Sequence, residues 1–345
     1  MEPGQPPPDR GGPNALRRHV AVRLTALAGV AALAALSWRC GDAGGPAPVD
    51  SAVETAAATI TAADMASWIG ALAHDSMAGR QTPSAGLDWA AYSARLAFAR
   101  AGLDPLFGSS YEQYYPLPKG PAGEVAPNVG AWRQGRDGIL RNEYVLYVAH
   151  MDHVGVGLPV NGDSIYNGAD DNASGSSAVL EIAAALGALE EAPRRSVIVL
   201  LVSGEEHGFW GSRHFVNFPA VPLDRIVAVI NLDMVSRNHP DTMTVSGLEV
   251  SSMGDVVLAA AAAHPEDHLH VRRGSAGLSD QIPFAERGIP WLLFFAGLHS
   301  DYHRPSDEPA HSDPDKAARA ARLAFRTGMM VANAHAAPLL RGAAP

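Results

Sequence analysis

Five separated stretches of this 345-residue chain carry acids and histidines that fit two metal ions and one base: His150-Met151-Asp152, Asp170-Asp171-Asn172, Glu205-Glu206, Asp233 and His303. His150 and Asp152 stand two apart, so in an extended segment they share a face. The imidazole can then bind a cation while the carboxylate fixes the ring. Asp170 or Asp171, in a glycine-flanked loop that runs into a helix, can bridge two cations with its two oxygens. Adjacent acids such as Glu205 and Glu206 repel at the end of a buried strand unless a cation or proton compensates. One facing the metal and its neighbour facing the substrate water gives a ligand and a general base. Each stretch alone has an ordinary explanation, a turn, a helix cap or an exposed histidine. Their order along the chain, each beside a predicted strand end, argues against scattered surface charge.

The elements that must position these residues are legible as hydrophobic runs. Tyr144–Ala149 precedes His150, Val197–Val202 precedes Glu205, Ile226–Leu232 precedes Asp233, and Trp291–Phe295 precedes the loop that holds His303. Each reads as a buried strand, and open α/β sheets bind ligands at such strand ends. Thr61–Ala73 and Leu87–Ala101 show apolar residues at helical spacing, with Gly102 placed to end the second. Ser174-Gly175 open an Ala- and Leu-rich helix through about Leu189, and Asp315–Ala334 predicts a long amphipathic closing helix. Strands alternating with helices predict an α/β class, a three-layer α/β/α sandwich with a mostly parallel mixed central sheet.

With 47% hydrophobic and 18% charged residues the chain is globular. A formal charge of −10, without clustered Lys and Arg, excludes nucleic acid as a partner. Arg17, Arg18 and Arg23 precede the apolar stretch Leu24–Leu36, the pattern of a secretory signal. Its thirteen residues fall short of the roughly 20 that span a membrane. Cys40, the only cysteine, resembles a bacterial lipoprotein attachment site, although Trp38-Arg39 replace the small residues expected there. A single cysteine excludes an intrachain disulfide. The expected layout is a leader over 1–40, a linker over 41–50 and one domain over 51–340, exported to the periplasm, secreted or held at a membrane by lipid at Cys40. Oligomeric state is unreadable from these residues.

In combination these motifs resemble the co-catalytic di-zinc aminopeptidases, metallopeptidase family 28, which includes secreted bacterial leucyl-type aminopeptidases and, more distantly, glutamate carboxypeptidase II. The resemblance runs from about Ile60 to Ala334 and includes Ser76-Met77-Ala78-Gly79-Arg80 and Asn128-Val129. It implies the zinc-dependent exopeptidase fold, peptide substrates and two Zn2+ ions. His150 and Asp233 would bind one zinc, Glu206 and His303 the other, and Asp171 would bridge them. Asp171 is preferred to Asp170 because the family's bridging Asp is followed by Asp or Asn, a small residue and Ser-Gly, here Asn172-Ala173-Ser174-Gly175. The family's peptide bond after that Asp is cis. Glu205 would be the general base, Asp152 the partner of His150, and Tyr302 a hydrogen-bond donor to the developing oxyanion.

The family's Ser-Asp-His before Pro-Phe appears here as Ser279-Asp280-Gln281 before Pro283-Phe284, a departure that touches only the expected pocket wall. Only 20 residues separate His150 from Asp171 and 69 separate Asp233 from His303, too few for the large inserted domains of other di-zinc exopeptidases. Pro118–Asn128 is likewise too short for a protease-associated insert. The implied activity is removal of amino-terminal residues from peptides. An unperturbed glutamate, with a pKa near 4.3, would stand ready at neutral pH to accept the water's proton. Carboxypeptidase or dipeptidase action would use a cation such as Arg237, Arg272 or Arg304 against a substrate carboxylate. Glutaminyl cyclisation on the same fold generally uses one zinc, and a non-catalytic binding protein would usually lack a ligand, which this chain does not. Phe209, Trp210, Met234 and Phe284 are the apolar pocket candidates.

Overall fold

The computed structural model describes residues 50–119, 123–275 and 277–342; the predicted leader and the linker up to residue 49 lie outside the described residues. All the described residues fall in one compact unit. Its strands are β1 (Asp104–Pro105), β2 (Glu112–Pro116), β3 (Val125–Arg133), β4 (Tyr144–His150), β5 (Gly155–Val160), β6 (Asp163–Tyr166), β7 (Ser196–Val202), β8 (Ile226–Leu232), β9 (Thr242–Ser246), β10 (His270–Arg273) and β11 (Trp291–Phe294). The α-helices are α1 (Ser51–Ala57), α2 (Ala62–Leu72), α3 (Ala85–Arg100), α4 (Gly175–Ala188), α5 (Trp210–Asn217), α6 (Met253–Ala263), α7 (Gln281–Ala285) and α8 (Pro314–Asn333).

Helix ends follow their capping chemistry. Thr61 Oγ1 accepts the Asp64 N–H, Ser84 Oγ accepts that of Leu87, and Asp313 accepts that of Lys316, with Pro314 opening α8. These side chains satisfy amide donors that the first helical turn leaves orphaned. Gly102, at φ +70°, follows α3 in the left-handed conformation that glycine adopts without steric cost.

Among the described residues β5 and β6 pair only with each other; the remaining strands form one sheet in the order β1-β3-β7-β4-β8-β11-β9-β10, with β2 on β3. Pairing is parallel through the centre, β7-β4-β8-β11, and again between β9 and β10. It is antiparallel at β1-β3, β2-β3, β3-β7 and β11-β9. The sheet is therefore mixed, with its parallel part where both faces are covered. Side-chain alternation divides the strands between two cores. Val145, Tyr147 and Ala149 join Val197, Val199 and Leu201 against α1 to α4, α6 and α8. Leu146 and Val148 join Ile198 and Leu200 against Phe215 of α5 and Phe284 of α7. Helices thus cover both faces, which makes the three layers.

Parallel pairing brings strand ends together. His150 is in register with Val202, three residues before Glu205. Val148 is in register with Asn231, and His150 and Asp233 each lie two residues farther on. One edge of the sheet therefore carries His150, Glu205, Glu206 and Asp233 on three neighbouring strands.

Candidate metal centre

His150 ends β4, almost fully buried, with Nε2 3.4 Å from Asp233 Oδ1 and 3.5 Å from Asp171 Oδ1. Asp171 Oδ2 lies 3.1 Å from His303 Nε2, which is also 3.1 Å from Glu206 Oε2. Asp171 thus presents one oxygen to each side of the cluster, the disposition a bridging carboxylate requires. The donor atoms fall into two sets, each gathered within 4.8 Å: His150, Glu205 and Asp233, and His153, Asp171, Glu206 and His303.

The loop that holds Asp171 is fastened at several points. Asp307, from the segment after His303, accepts the N–H groups of both Asp170 and Asp171. Asn172 donates to Leu232 O at the end of β8 and accepts from Gly175 and Met234 N–H. The Asp171–Asn172 peptide bond is cis. Ser176 of α4 donates to His150 O at 2.7 Å, tying the helix start to the end of β4. Asp170 points elsewhere: its Oδ1 accepts from Ser236 N and Oγ, at 2.8 and 2.7 Å, and its Oδ2 faces His299. The structure therefore separates the two aspartates, Asp171 in the cluster and Asp170 in the scaffold.

Asp152 is placed differently from the simplest expectation. Its Oδ1 is 3.7 Å from His150 Nδ1, beyond hydrogen-bond distance, whereas its own carbonyl oxygen is 3.2 Å from that nitrogen. Oδ1 instead accepts the N–H of Glu205 at 3.3 Å. Asp152 thus links the end of β4 to the turn after β7. β4 stops at His150, so strand alternation does not extend to Asp152.

His153 is the residue that spacing missed. It is fully buried, with Nδ1 2.8 Å from Glu206 Oε1 and 3.6 Å from Asp171 Oδ2, and its ring meets His303 edge-on with 5.5 Å between centroids. Alternation from His150 selects position 152 and passes over 153. The backbone leaves the strand after His150, and the turn brings position 153 back to the cluster.

Proton affinities are set by this crowding. Burial pushes Glu205 up to about 10, reinforced by the charges of Asp233, Asp280 and Glu206 against the opposing pull of His150. Glu206 sits well below the ordinary range because contacts with His153 and His303 outweigh its burial. Burial also raises Asp171, with Glu206 adding to it. His303 is raised to about 10: burial opposes its charge, but Asp171 and Glu206 favour it. His150 rises well above its usual value against its burial, through Glu205 and Asp233. The expectation of an unperturbed Glu205 is therefore corrected for the protein without cations: like charges and low polarity hold its proton.

Protons here compensate charge that divalent cations would compensate instead. Asp152 Oδ2 and His153 Nε2 are buried without a hydrogen-bond partner among the described residues, and His303 Nε2 and Asp233 Oδ1 meet the cluster's own groups too poorly aligned for a full hydrogen bond. Buried polar groups are ordinarily satisfied. Imidazole and carboxylate donors converging in two sets fit two divalent cations, and this mixed chemistry suits zinc.

Beside the cluster opens a cavity of about 610 Å³, a size suited to small organic ligands. His150, Asp171, Glu205 and Asp233 line its polar end, Met234, Leu293, Phe295 and Leu298 its apolar wall, and Tyr302 and Arg272 also face it. Tyr302 stacks on His303 with 3.9 Å between ring centroids, and its hydroxyl is raised above the usual phenol range by burial and by Asp171 and Glu206.

Of the apolar pocket candidates only Met234 lines this cavity. Phe284 is fully buried in the core beneath α5 and α7, against Phe215. Trp210 stacks on His207 and Phe209 lies under Arg213. Gln281 stands behind the wall, donating to Gly277 O and accepting from Asn231. Among the arginines considered, Arg237 pairs with Asp301 at 2.6 Å, Arg304 is not part of the lining, and Arg272 is.

A family model described as Peptidase family M28 matches residues 128–327. Aminopeptidase YwaD of Bacillus subtilis (strain 168) is 27% identical over 187 residues, covering 51% of this chain and 40% of that protein. The chain therefore spans well under half the length of this relative. Legionella pneumophila LapA aminopeptidase superposes with a TM-score of 0.65 at 18% identity, over 82% of this chain and 75% of that one. Porphyromonas gingivalis glutaminyl cyclase gives a TM-score of 0.64 at 20% identity, over 77% of this chain and 97% of that one. At such identities the likeness is one of fold.

Proposed function

This chain belongs to peptidase family M28, and on that premise we propose that it is a zinc-dependent exopeptidase that removes amino-terminal residues from peptides. The observation that carries the reading is Asp171, with Oδ1 facing His150 and Oδ2 facing His303 and His153, at the polar end of a cavity. His150 and Asp233 would hold one Zn2+, Glu206 and His303 the other, with Asp171 between them. Ions held there supply a Lewis acid for a peptide carbonyl and lower the pKa of water.

The chain's own residues do the rest. Burial raises Glu205 most, and cations that neutralise Asp233 and Glu206 would remove two of the like charges that reinforce it, so its carboxylate becomes a base within the cavity. Glu205 accepts a proton from the attacking water and returns it to the departing amine. Tyr302, stacked on His303, would donate its O–H to the oxygen on which charge develops. Asp152 fixes the turn of Glu205 through that residue's N–H. The apolar wall of Met234, Leu293, Phe295 and Leu298 receives a hydrophobic side chain.

Arg272 at the cavity favours one second reading, dipeptidase or carboxypeptidase action on a substrate carboxylate. A single panel separates the readings: bound metal per chain, with hydrolysis of free and N-acetylated aminoacyl anilides, dipeptides and dipeptide amides. About two zinc ions and cleavage confined to unblocked amino ends support the aminopeptidase. Preference for dipeptides over their amides would favour the second reading. Cyclisation of glutaminyl peptides with one ion per chain would overturn both.

We also propose export, on the basic and apolar pattern of residues 14–40, with Cys40 as the site of a lipid anchor. Labelled fatty acid incorporated into the wild-type chain and lost in Cys40→Ser supports the anchor, and equal labelling of both sinks it.

A further inference from the structure

We propose that His153 is itself a metal ligand, sharing the cation of Asp171, Glu206 and His303, so that the two sites differ in kind. The proposal rests on the reading of the cluster as a two-cation centre. Its first ground is the environment of the ring. His153 is fully buried, and Nδ1 is the ring nitrogen that faces acids: Glu206 Oε1 at 2.8 Å and Asp171 Oδ2 at 3.6 Å. Nε2 has no hydrogen-bond partner among the described residues. Without a cation, Nδ1 meets these carboxylates by sharing a proton with Glu206, and the same nitrogen stands among the donor atoms of Asp171, Glu206 and His303, all within 4.8 Å of one another. A cation drawn into that set takes the place of the shared proton.

The second ground is how the ring is seated. A Cβ at Gly168 would lie 2.5 Å from both Cγ and Cδ2 of His153 and 2.2 Å from Asp171 O, and Gly168 adopts φ +61°. The ring therefore rests on a position where a larger residue would collide with both His153 and the Asp171 loop. The His153 N–H donates to Arg80 O, and the Arg80 guanidinium in turn donates to the carbonyls of Asn167 and Gly168. Backbone and ring are held from separate directions, as preorganised ligands are.

The consequence is asymmetry. Asp171, Glu206, His303 and His153 offer four protein donors, two of them imidazoles, enough to fill a tetrahedral zinc shell. The other site, with Glu205 kept as base, has one imidazole, His150, with Asp233 and the other oxygen of Asp171, three donors. The His153 site should fill first and hold its ion more tightly, and the more open position belongs to the His150 side.

The test uses the cobalt-substituted chain and counts exchangeable imidazole N–H signals shifted by the metal in proton NMR, with zinc affinity measured by titration against a chelator. Coordination through Nδ1 would leave a buried Nε2–H. His153→Ala should remove one shifted signal and weaken one of the two zinc ions by more than the roughly 10–100-fold that loss of a residue merely hydrogen-bonded to a ligand costs, leaving the other unchanged. His153→Asn, which keeps a donor for Glu206, should behave like alanine and covers the case in which alanine does not fold. Retention of every shifted signal, or of both zinc affinities, in either folded variant would overturn the ligand assignment. Failure of the wild type to bind cobalt or zinc would instead overturn the reading of the centre itself.

Discussion

At the scale of single residues, the two adjacent glutamates separate the chemistry from the container. Both are largely buried, yet Glu206 is held below the usual carboxylate range by two histidines while Glu205 retains its proton to about 10 without cations. Glu205→Gln keeps the shape and removes the base, so the variant should bind both metals and lose about 10²–10⁴-fold or more in kcat. Glu206→Ala should instead lower metal content itself. Turnover and metal analysis on the same samples decide the matter; a Glu205→Gln enzyme with wild-type kcat would end the assignment of a base. The sequence pointed to both residues because two acids after a buried apolar strand demand compensation. It did not point to His153, since a residue three past the strand end depends on a turn that periodicity does not describe. Nor could it place Phe284, whose character suits a pocket wall and a core equally, until α7 packed that side chain against Phe215 in the core.

Elements position these residues through buried polar contacts as much as through apolar packing. Arg80 is fully buried, and its guanidinium donates to the carbonyls of Leu72, Met151, Asn167 and Gly168, joining the end of α2 to the two loops that carry the cluster. Burial lowers it to about 10, still charged at neutral pH. Lysine cannot reproduce the fork, and carbonyls left unsatisfied cost about 1–3 kcal/mol each. Arg80→Lys should therefore destabilise the fold measurably and weaken both zinc ions; a variant with wild-type melting and zinc affinity would refute this role. Between α2 and α4, Glu181 accepts a hydrogen bond from Trp68 Nε1 at 3.0 Å and is pushed by burial, with help from Asp64, from 4.5 to about 7. A raised acid holds its extra proton in the folded state, so stability is greatest below pH 4.5 and falls as pH rises through 7. The loss is on the order of 2–3 kcal/mol by linkage. Glu181→Gln should melt higher than wild type at pH 8 and nearly level with it at pH 5; identical pH profiles would contradict this. The sequence placed α2, α3, α4 and α8 to within a residue or two because capping residues and apolar spacing agree there. It was silent on β9, β10 and α6. The two strands are short, and α6 is an alanine-rich stretch whose identity depends on what it packs against.

At the scale of the molecule, strand order makes the site: four parallel neighbours align their ends so that residues distant in sequence meet, while the antiparallel flanks extend the sheet. That sequential strands and helices would build a layered α/β domain was legible from alternation alone. The order of the strands was not, because pairing is decided by contacts between segments rather than within them. One global cost follows from the design. Asp171, Glu205, Glu206 and Asp233 converge in a buried cluster, and Asp280 stands behind it, buried and raised to about 7. Apart from protons, cations are the groups that can offset this repulsion, and they bind only the folded arrangement. Ligation to the folded state alone stabilises by about 2.7 kcal/mol at a hundredfold excess over Kd for each site. Two sites give about 5 kcal/mol, which for a domain of this size moves Tm by on the order of 10 °C. Calorimetry of the chain from Asp50 onward, chelated and then restored with zinc, should show that rise. Restoration in two steps, a larger gain with the first equivalent than with the second, is expected if His153 makes one site tighter. Superimposable transitions with and without zinc would mean that the cluster tolerates its own charge and that protons, not metals, hold it together.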